Sequence, residues 1–226
     1  MKMTSRMVKV IGGILGGCGA IWVGGILLWY YHRPVEAVDR SMGLTIATHL
    51  KALPPAIVVA TVNGQAITER DVARREVFIQ LADAMNGRAF TPESNSQAVQ
   101  AIAQSFALVQ SAQKAGIVVS AQQAYDFALK QYQMVEQTPA LKNEKALLDA
   151  VISDLGLSPD AYIRHYMVPA AQQLLAISQM QSKLAQSIPK GNKTLQEWHQ
   201  AQSAAVAAWR QDVVGSMKLV VVKPGY

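Results

Sequence analysis

Cysteine is nearly absent from this 226-residue chain: Cys18 is the only one. An intrachain disulfide is thereby excluded, and so is a metal centre built on several cysteine ligands. Histidine is also scarce. His32, His49, His165 and His199 show neither the i, i+4 spacing nor the His-Glu-x-x-His run that zinc chemistry uses. There is no Gly-x-Ser-x-Gly elbow, no phosphate-cradling glycine loop and no dinucleotide fingerprint. Ser111-Ala112-Gln113-Lys114 matches a Ser-x-x-Lys pattern but lacks its companion motifs, so it reads as helix surface. Glu69, Asp71 and Glu76 alternate with Arg70, Arg74 and Arg75, as on a salt-bridged helix face. The expectation is a protein that is not an enzyme, with no cofactor and no metal.

Charge of one sign is lacking over most of the chain. The formal charge is +6, yet from Pro34 onward 17 Lys and Arg face 15 Asp and Glu. No basic stripe remains for nucleic acid, which is excluded as a partner. The other positives, Lys2, Arg6, Lys9 and Arg33, flank a hydrophobic run.

What is there begins with that run. Val10 to Tyr31 holds 22 residues without a charge. At about 1.5 Å per residue it can cross a hydrocarbon core of roughly 30 Å. Trp29, Tyr30 and Tyr31 form an aromatic belt at its end, and the basic residues ahead of it set the N-terminus inside. The localisation expected is a single pass through the inner (cytoplasmic) membrane, in contact with lipid over residues 10–31, with the main domain periplasmic. Leu15-Gly16-Gly17-Cys18 also fits a lipidation signal ending at Cys18, but apolar residues continue through Leu28, which favours an uncleaved span. Gly12, Gly13, Gly16 and Gly17 form two small-xxx-small pairs that can bring two such helices together as a homodimer.

The chain divides into a cytoplasmic tip and span (1–33), a stalk or linker (34–55) ending in Leu53-Pro54-Pro55, and a folded domain (56–226). Within the stalk, Ser41 to Leu53 suits a short helix that the prolines stop. The domain opens on Val58–Val62, a β-branched strand, followed by an Asn63-Gly64 turn and a helix capped by Thr68 with Asp71. Periodicity places further helices after Thr91-Pro92, after Ser120 (with Gln123 in the capping-box position), over Glu144–Leu155, from Ser158-Pro159 to Ile188, and around Trp198–Trp209. Apolar residues at 163, 167, 170, 174 and 177 repeat like heptads, with Pro169 inside them to kink or divide the helix. Met217–Val222 closes the chain as a second strand. Neither strand is stable alone, so the two are expected to pair and bring the ends of the domain together. The fold class is mainly α, with a small sheet formed by the first and last strands.

Large apolar side chains on these helices are the candidates for holding unfolded polypeptide: Phe78, Met85, Phe106, Phe127, Tyr132, Met134, Tyr162, Tyr166, Met167 and Met180. Flexible methionine and aromatic surfaces adapt to many partners, although buried sites take most such residues.

Three pieces resemble the N-terminal domain of SurA-type periplasmic chaperones. They are Ala60-Thr61-Val62-Asn63-Gly64-Gln65-Ala66-Ile67-Thr68, the helix end Gln113-Lys114-Ala115-Gly116-Ile117-Val118-Val119-Ser120, and Leu157 to Leu184 with its Tyr162-Ile163-Arg164 start. The return of Trp198–Val222 is similar to that family's C-terminal segment, and the resemblance covers about Ile57 to Val222. A parvulin isomerase domain would need on the order of a hundred residues, and none fit between Ile188 and Trp198. The resemblance implies an isomerase-less, membrane-anchored version of a SurA-N-like helical domain. It would bind unfolded or nascent envelope proteins without ATP. The alternative is a structural subunit or assembly factor of an envelope secretion or conjugation machine, holding one dedicated partner.

Overall fold

A computed structural model describes residues 40–85 and 90–226. The expected span 10–31, its Trp29-Tyr30-Tyr31 belt, the glycine pairs and Cys18 lie outside the described residues. Among those described, no helix is long and apolar enough to cross a membrane. The architecture is mainly helical with one small antiparallel sheet. In chain order the elements are α1 (Arg40–Lys51), β1 (Val58–Val62), β2 (Gln65–Thr68), α2 (Glu69–Met85), α3 (Asn95–Lys114), α4 (Ala121–Gln137), α5 (Lys142–Leu155), α6 (Pro159–Tyr162), α7 (Val168–Ser187), α8 (Leu195–Ser216) and β3 (Leu219–Val221). A 3₁₀ turn precedes α5, and a π turn over Ile163–Met167 joins α6 to α7.

The first and last strands do pair. β1 lies in the middle of the sheet, in the order β2-β1-β3, with Ala60 opposite Val221, Thr61 opposite Val220 and Val62 opposite Leu219. Val59, Ala60 and Val62 are fully buried against α2 and α3. The sequence predicts a helix directly after the Asn-Gly turn; the structure inserts β2, which folds back on β1 as a hairpin. Asn63 and Gly64 both adopt positive φ, 49° and 85°, the backbone a two-residue hairpin of this hand requires. Asn63 does more than permit the turn. Its amide donates to the Lys218 carbonyl (3.0 Å), its side-chain oxygen accepts from the Lys218 amide (2.9 Å), and its Nδ2 donates to Gln110 Oε1 on α3 (3.0 Å). One residue ties turn, last strand and α3.

Helix starts follow local chemistry. Ser120 with Gln123, and Thr194 with Glu197, make reciprocal capping boxes, and Asp71 accepts from both the amide and hydroxyl of Thr68. The second long helix begins at Ser94, capped with Gln97, and not at Thr91-Pro92. Glu93 is thereby left free to hold Arg75 on α2 through two hydrogen bonds (2.7 and 2.8 Å).

The largest departure from expectation concerns residues 34–55. Over Arg40–Lys51 this segment is not a stalk: α1 packs on α5, with Ile46, Ala47 and Leu50 buried. Gly43 permits that approach. A Cβ there would sit 2.7 Å from the Ala150 Cβ, closer than real contacts allow, and a tight 3.1 Å from the Leu147 carbonyl oxygen. Lys51 then pairs with Asp154 at the far end of α5 (3.2 Å).

Pro169 divides the penultimate helical run through a π turn. Proline has no amide to donate, and its ring crowds the carbonyl one turn back. Widening the preceding turn, with the Val168 amide donating to the Ile163 carbonyl, absorbs both effects. The extra residue re-phases the run. Ile163, Met167 and Ile177 are buried as the heptad pattern requires, but Ala171 and Ala176 are buried in place of 170 and 174.

Candidate binding surface

The ten large side chains singled out in the sequence do not form one surface. Tyr162, Met167 and Met180 are buried, and burial pushes the Tyr162 hydroxyl well above the ordinary range. Phe127, Tyr132 and Tyr166 are half-buried against the main cluster around α4, α5 and α7. Phe106 packs on the sheet cluster, while Met180 belongs to a third group between α3, α7 and α8. Phe78 and Met134 are half-buried, and the side chain of Met85 lies outside the described residues. The three buried residues act as core.

Two other places present apolar surface. The first is an open groove of about 280 Å³ where the end of α1 meets α2. Ala52, Leu53 and Pro54 form one wall, Ala73 and Val77 on α2 form another, and Phe90 closes it. His49, Glu76 and Gln80 give it a polar rim, with His49 Nδ1 lying 3.1 Å from Gln80 Oε1. The groove exists because α1 is docked: a free stalk would carry Leu53-Pro54 away from α2.

The second is the β1–β3 side of the sheet. Ile57, Val58, Val220, Val221 and Val222 are each between 41% and 55% exposed, and the Val222 amide donates to the Val59 carbonyl (2.9 Å), which sets the two groups side by side. β3 is an edge strand with no partner beyond it among the described residues. The sequence did carry a signal for this surface. A short strand apolar on both faces is either fully covered or, at an edge, half exposed.

The charged clusters are structural ties. Tyr125 donates to Asp160 (2.6 Å), Arg164 Nε donates to the same carboxylate (2.9 Å), and the guanidinium lies 4.3 Å over the Tyr125 ring. The Tyr125 hydrogen bond, then Arg164, holds the Asp160 carboxyl below its ordinary value. This group is solvent-exposed and joins α4 to the π turn. Lys145 bridges Glu136 and Asp149 (3.0 and 2.7 Å), which raise its pKa. Lys223 pairs with Glu69, joining the residues after β3 to the start of α2. Among the described residues no group of three or more His, Cys, Asp or Glu is placed to hold a metal ion.

Helix α8 is held in an unusual way. Val206 is its one fully buried residue among those described, and polar pins supply the attachment. Trp198 Nε1 donates to the Ile188 carbonyl (2.9 Å), Gln202 Nε2 to the Ala185 carbonyl (3.0 Å), and Trp209 Nε1 to Ser111 Oγ (3.0 Å). The clasp of β3 on β1 fixes its far end. Compared with family models, curated proteins and solved structures, the chain shows no match, and the groove and the sheet edge are known from its own geometry.

Proposed function

We propose that this chain is a membrane-anchored, periplasmic chaperone that binds unfolded or newly translocated polypeptides without nucleotide and without isomerising proline. The observation that carries the reading is the open apolar groove of about 280 Å³ between α1 and α2. It accommodates an apolar side chain and leaves the rest of a client chain in solvent. Burying one Leu- or Phe-sized side chain is worth roughly 1.5–3 kcal/mol. That is enough to delay aggregation and too little to hold a client long, so release needs no ATP. The anchor rests on the uncharged run Val10–Tyr31 with Lys2, Arg6 and Lys9 ahead of it. The SurA-like order of elements supports the same assignment.

The test is suppression of aggregation by the full-length chain, measured by light scattering against several unrelated unfolded proteins. Wild type should delay aggregation of most of them. Ala73→Trp, which fills the groove, should lose the effect while keeping its far-UV circular dichroism. Failure with every client, alongside co-purification of one stoichiometric partner, would replace this reading with that of a dedicated assembly factor. Turnover of a proline peptide would sink it as well.

A further inference from the structure

The free edge of β3 has a chemistry the groove lacks. On either side of β3, the Lys218 carbonyl accepts from the Asn63 amide just past β1, and the Val222 amide donates to the Val59 carbonyl on β1. Because a strand alternates its hydrogen-bonding direction with period two, Val220 faces β1 as well. The amides and carbonyls of Leu219 and Val221 therefore point away from β1, along an edge that no described strand covers. Val220, Val221 and Val222 flank those groups with exposed aliphatic surface. Proteins protect such edges with lysine, proline, bulges or covering elements. Among the described residues, charged protection comes at the ends, from Lys218 and from Lys223, whose charge is already engaged by Glu69.

We propose that this edge binds an extended, β-branched polypeptide segment as a fourth strand, added antiparallel to β3. The backbone groups select the occupant, because two outward amides and two outward carbonyls at strand spacing are satisfied together only by another extended chain. Size argues against a second copy of this protein held by the edge alone. A three-residue strand is about 10 Å long, whereas stable dimers bury upward of roughly 1,000 Å². Charge sets the direction of preference. An antiparallel occupant ends beside Lys218, whose ammonium has no ion-pair partner among the described residues, so an acidic residue at the C-terminal end of the segment is favoured. The edge is separate from the groove and stands whether or not the groove holds clients.

The experiment is fluorescence anisotropy with a labelled hexapeptide of alternating valine and threonine closed by glutamate, titrated with the full-length chain in mild non-ionic detergent against a detergent blank. Saturable binding is expected. The same peptide carrying N-methyl groups on its strand-facing amides keeps its side chains but loses its donors, and should bind at least tenfold more weakly. Val221→Pro removes an outward amide that β1 does not use, the one place a strand tolerates proline. It should weaken binding at least tenfold with an unchanged thermal midpoint. Equal binding of the N-methylated peptide, which needs no variant to fold, would overturn the proposal. So would concentration-dependent dimerisation in sedimentation that Val221→Pro abolishes and the peptide does not compete. Peptide binding without aggregation suppression would retain the edge and remove the chaperone reading, and the reverse pattern would do the opposite.

Discussion

Glu144 offers the sharpest test of the packing. It is the third residue of α5, it is 3% exposed, and no other residue hydrogen-bonds to either carboxylate oxygen. Burial pushes its carboxyl above the ordinary value of 4.5, offset in part by the amide of its own residue. An unsatisfied buried polar group costs about 1–3 kcal/mol, and more when charged. Its place in the first turn of a helix returns roughly 0.3–1 kcal/mol of that to the ionised form. Glu144→Met, of similar length and apolar, should therefore stabilise the fold by about 1–3 kcal/mol at neutral pH. For a domain of this size that is roughly 2–10 °C in Tm. The pH dependence has a definite sign. Below pH 4.5 the carboxyl is protonated in both states and the gain is smallest. As pH rises past 4.5 the unfolded chain ionises first and wild type loses stability, until the folded carboxyl ionises too and the loss levels off. The gain of the variant over wild type should thus grow from pH 4 to a plateau above the folded pKa. Thermal unfolding of both proteins by circular dichroism from pH 4 to 8 measures it. A difference constant across that range, or a destabilised variant, would refute the argument that Glu144 is buried without compensation.

Gly43→Val should destabilise the domain by about 1–3 kcal/mol in urea unfolding, because the new side chain meets Ala150 and the Leu147 carbonyl; no change would mean that α1 is a free linker. Asn63→Gly keeps the positive φ and loses the side-chain bonds to the Lys218 amide and to Gln110, a loss of about 1–2 kcal/mol. Asn63→Ala adds about 1–2 kcal/mol of left-handed backbone strain to that, so the order of the two variants separates turn geometry from clasp. Trp209→Phe removes the bond to Ser111 and should raise proteolysis within α8 more than it lowers global stability, read by limited digestion with mass spectrometry.

How far each feature could be read from the sequence depended on how local its cause was. The Ser120–Gln123 box was legible because both partners lie within four residues of one another. The Ser94 start is not, because Thr91-Pro92 offers an equally good local start, and only the Ser94–Gln97 pair together with the Glu93–Arg75 bonds separates them. β2 is not legible locally because Gln65 and Ala66 are poor strand formers; Ile67, paired with Ala60, draws them into the hairpin. The meeting of β1 and β3 is legible despite the 156 residues between Val62 and Leu219, since each strand needs a partner and no other is on offer. The burial of α1 was not, because it turns on the absence of a side chain at Gly43 opposite a helix a hundred residues away. The binding surface shared this fate. Aromatic and methionine residues on helices mark where a core forms, whereas the groove and the sheet edge exist only once α1 and β3 have docked.

That docking changes the proposed relation between domain and membrane. With residues 34–55 as a stalk, 22 residues at up to about 3.5 Å each would let the domain roam some 75 Å from the bilayer. Because α1 is in place from Arg40 onward, at most the eight residues 32–39 separate the hydrophobic run from it. Fully extended they reach about 28 Å. In the proposed topology the α1 end of the domain is therefore held within about one domain diameter of the membrane surface, and the groove, walled by the residues that follow α1, is held there with it. A client emerging from the bilayer would meet that groove at a high effective concentration, which offsets the weak affinity that one or two buried side chains supply. Lengthening the 32–39 segment with a Gly/Ser insert of some twenty residues should then leave binding by the purified protein unchanged and reduce protection of newly translocated clients in cells. Equal protection by the long-tethered protein would mean that proximity contributes nothing and that the groove's own affinity suffices.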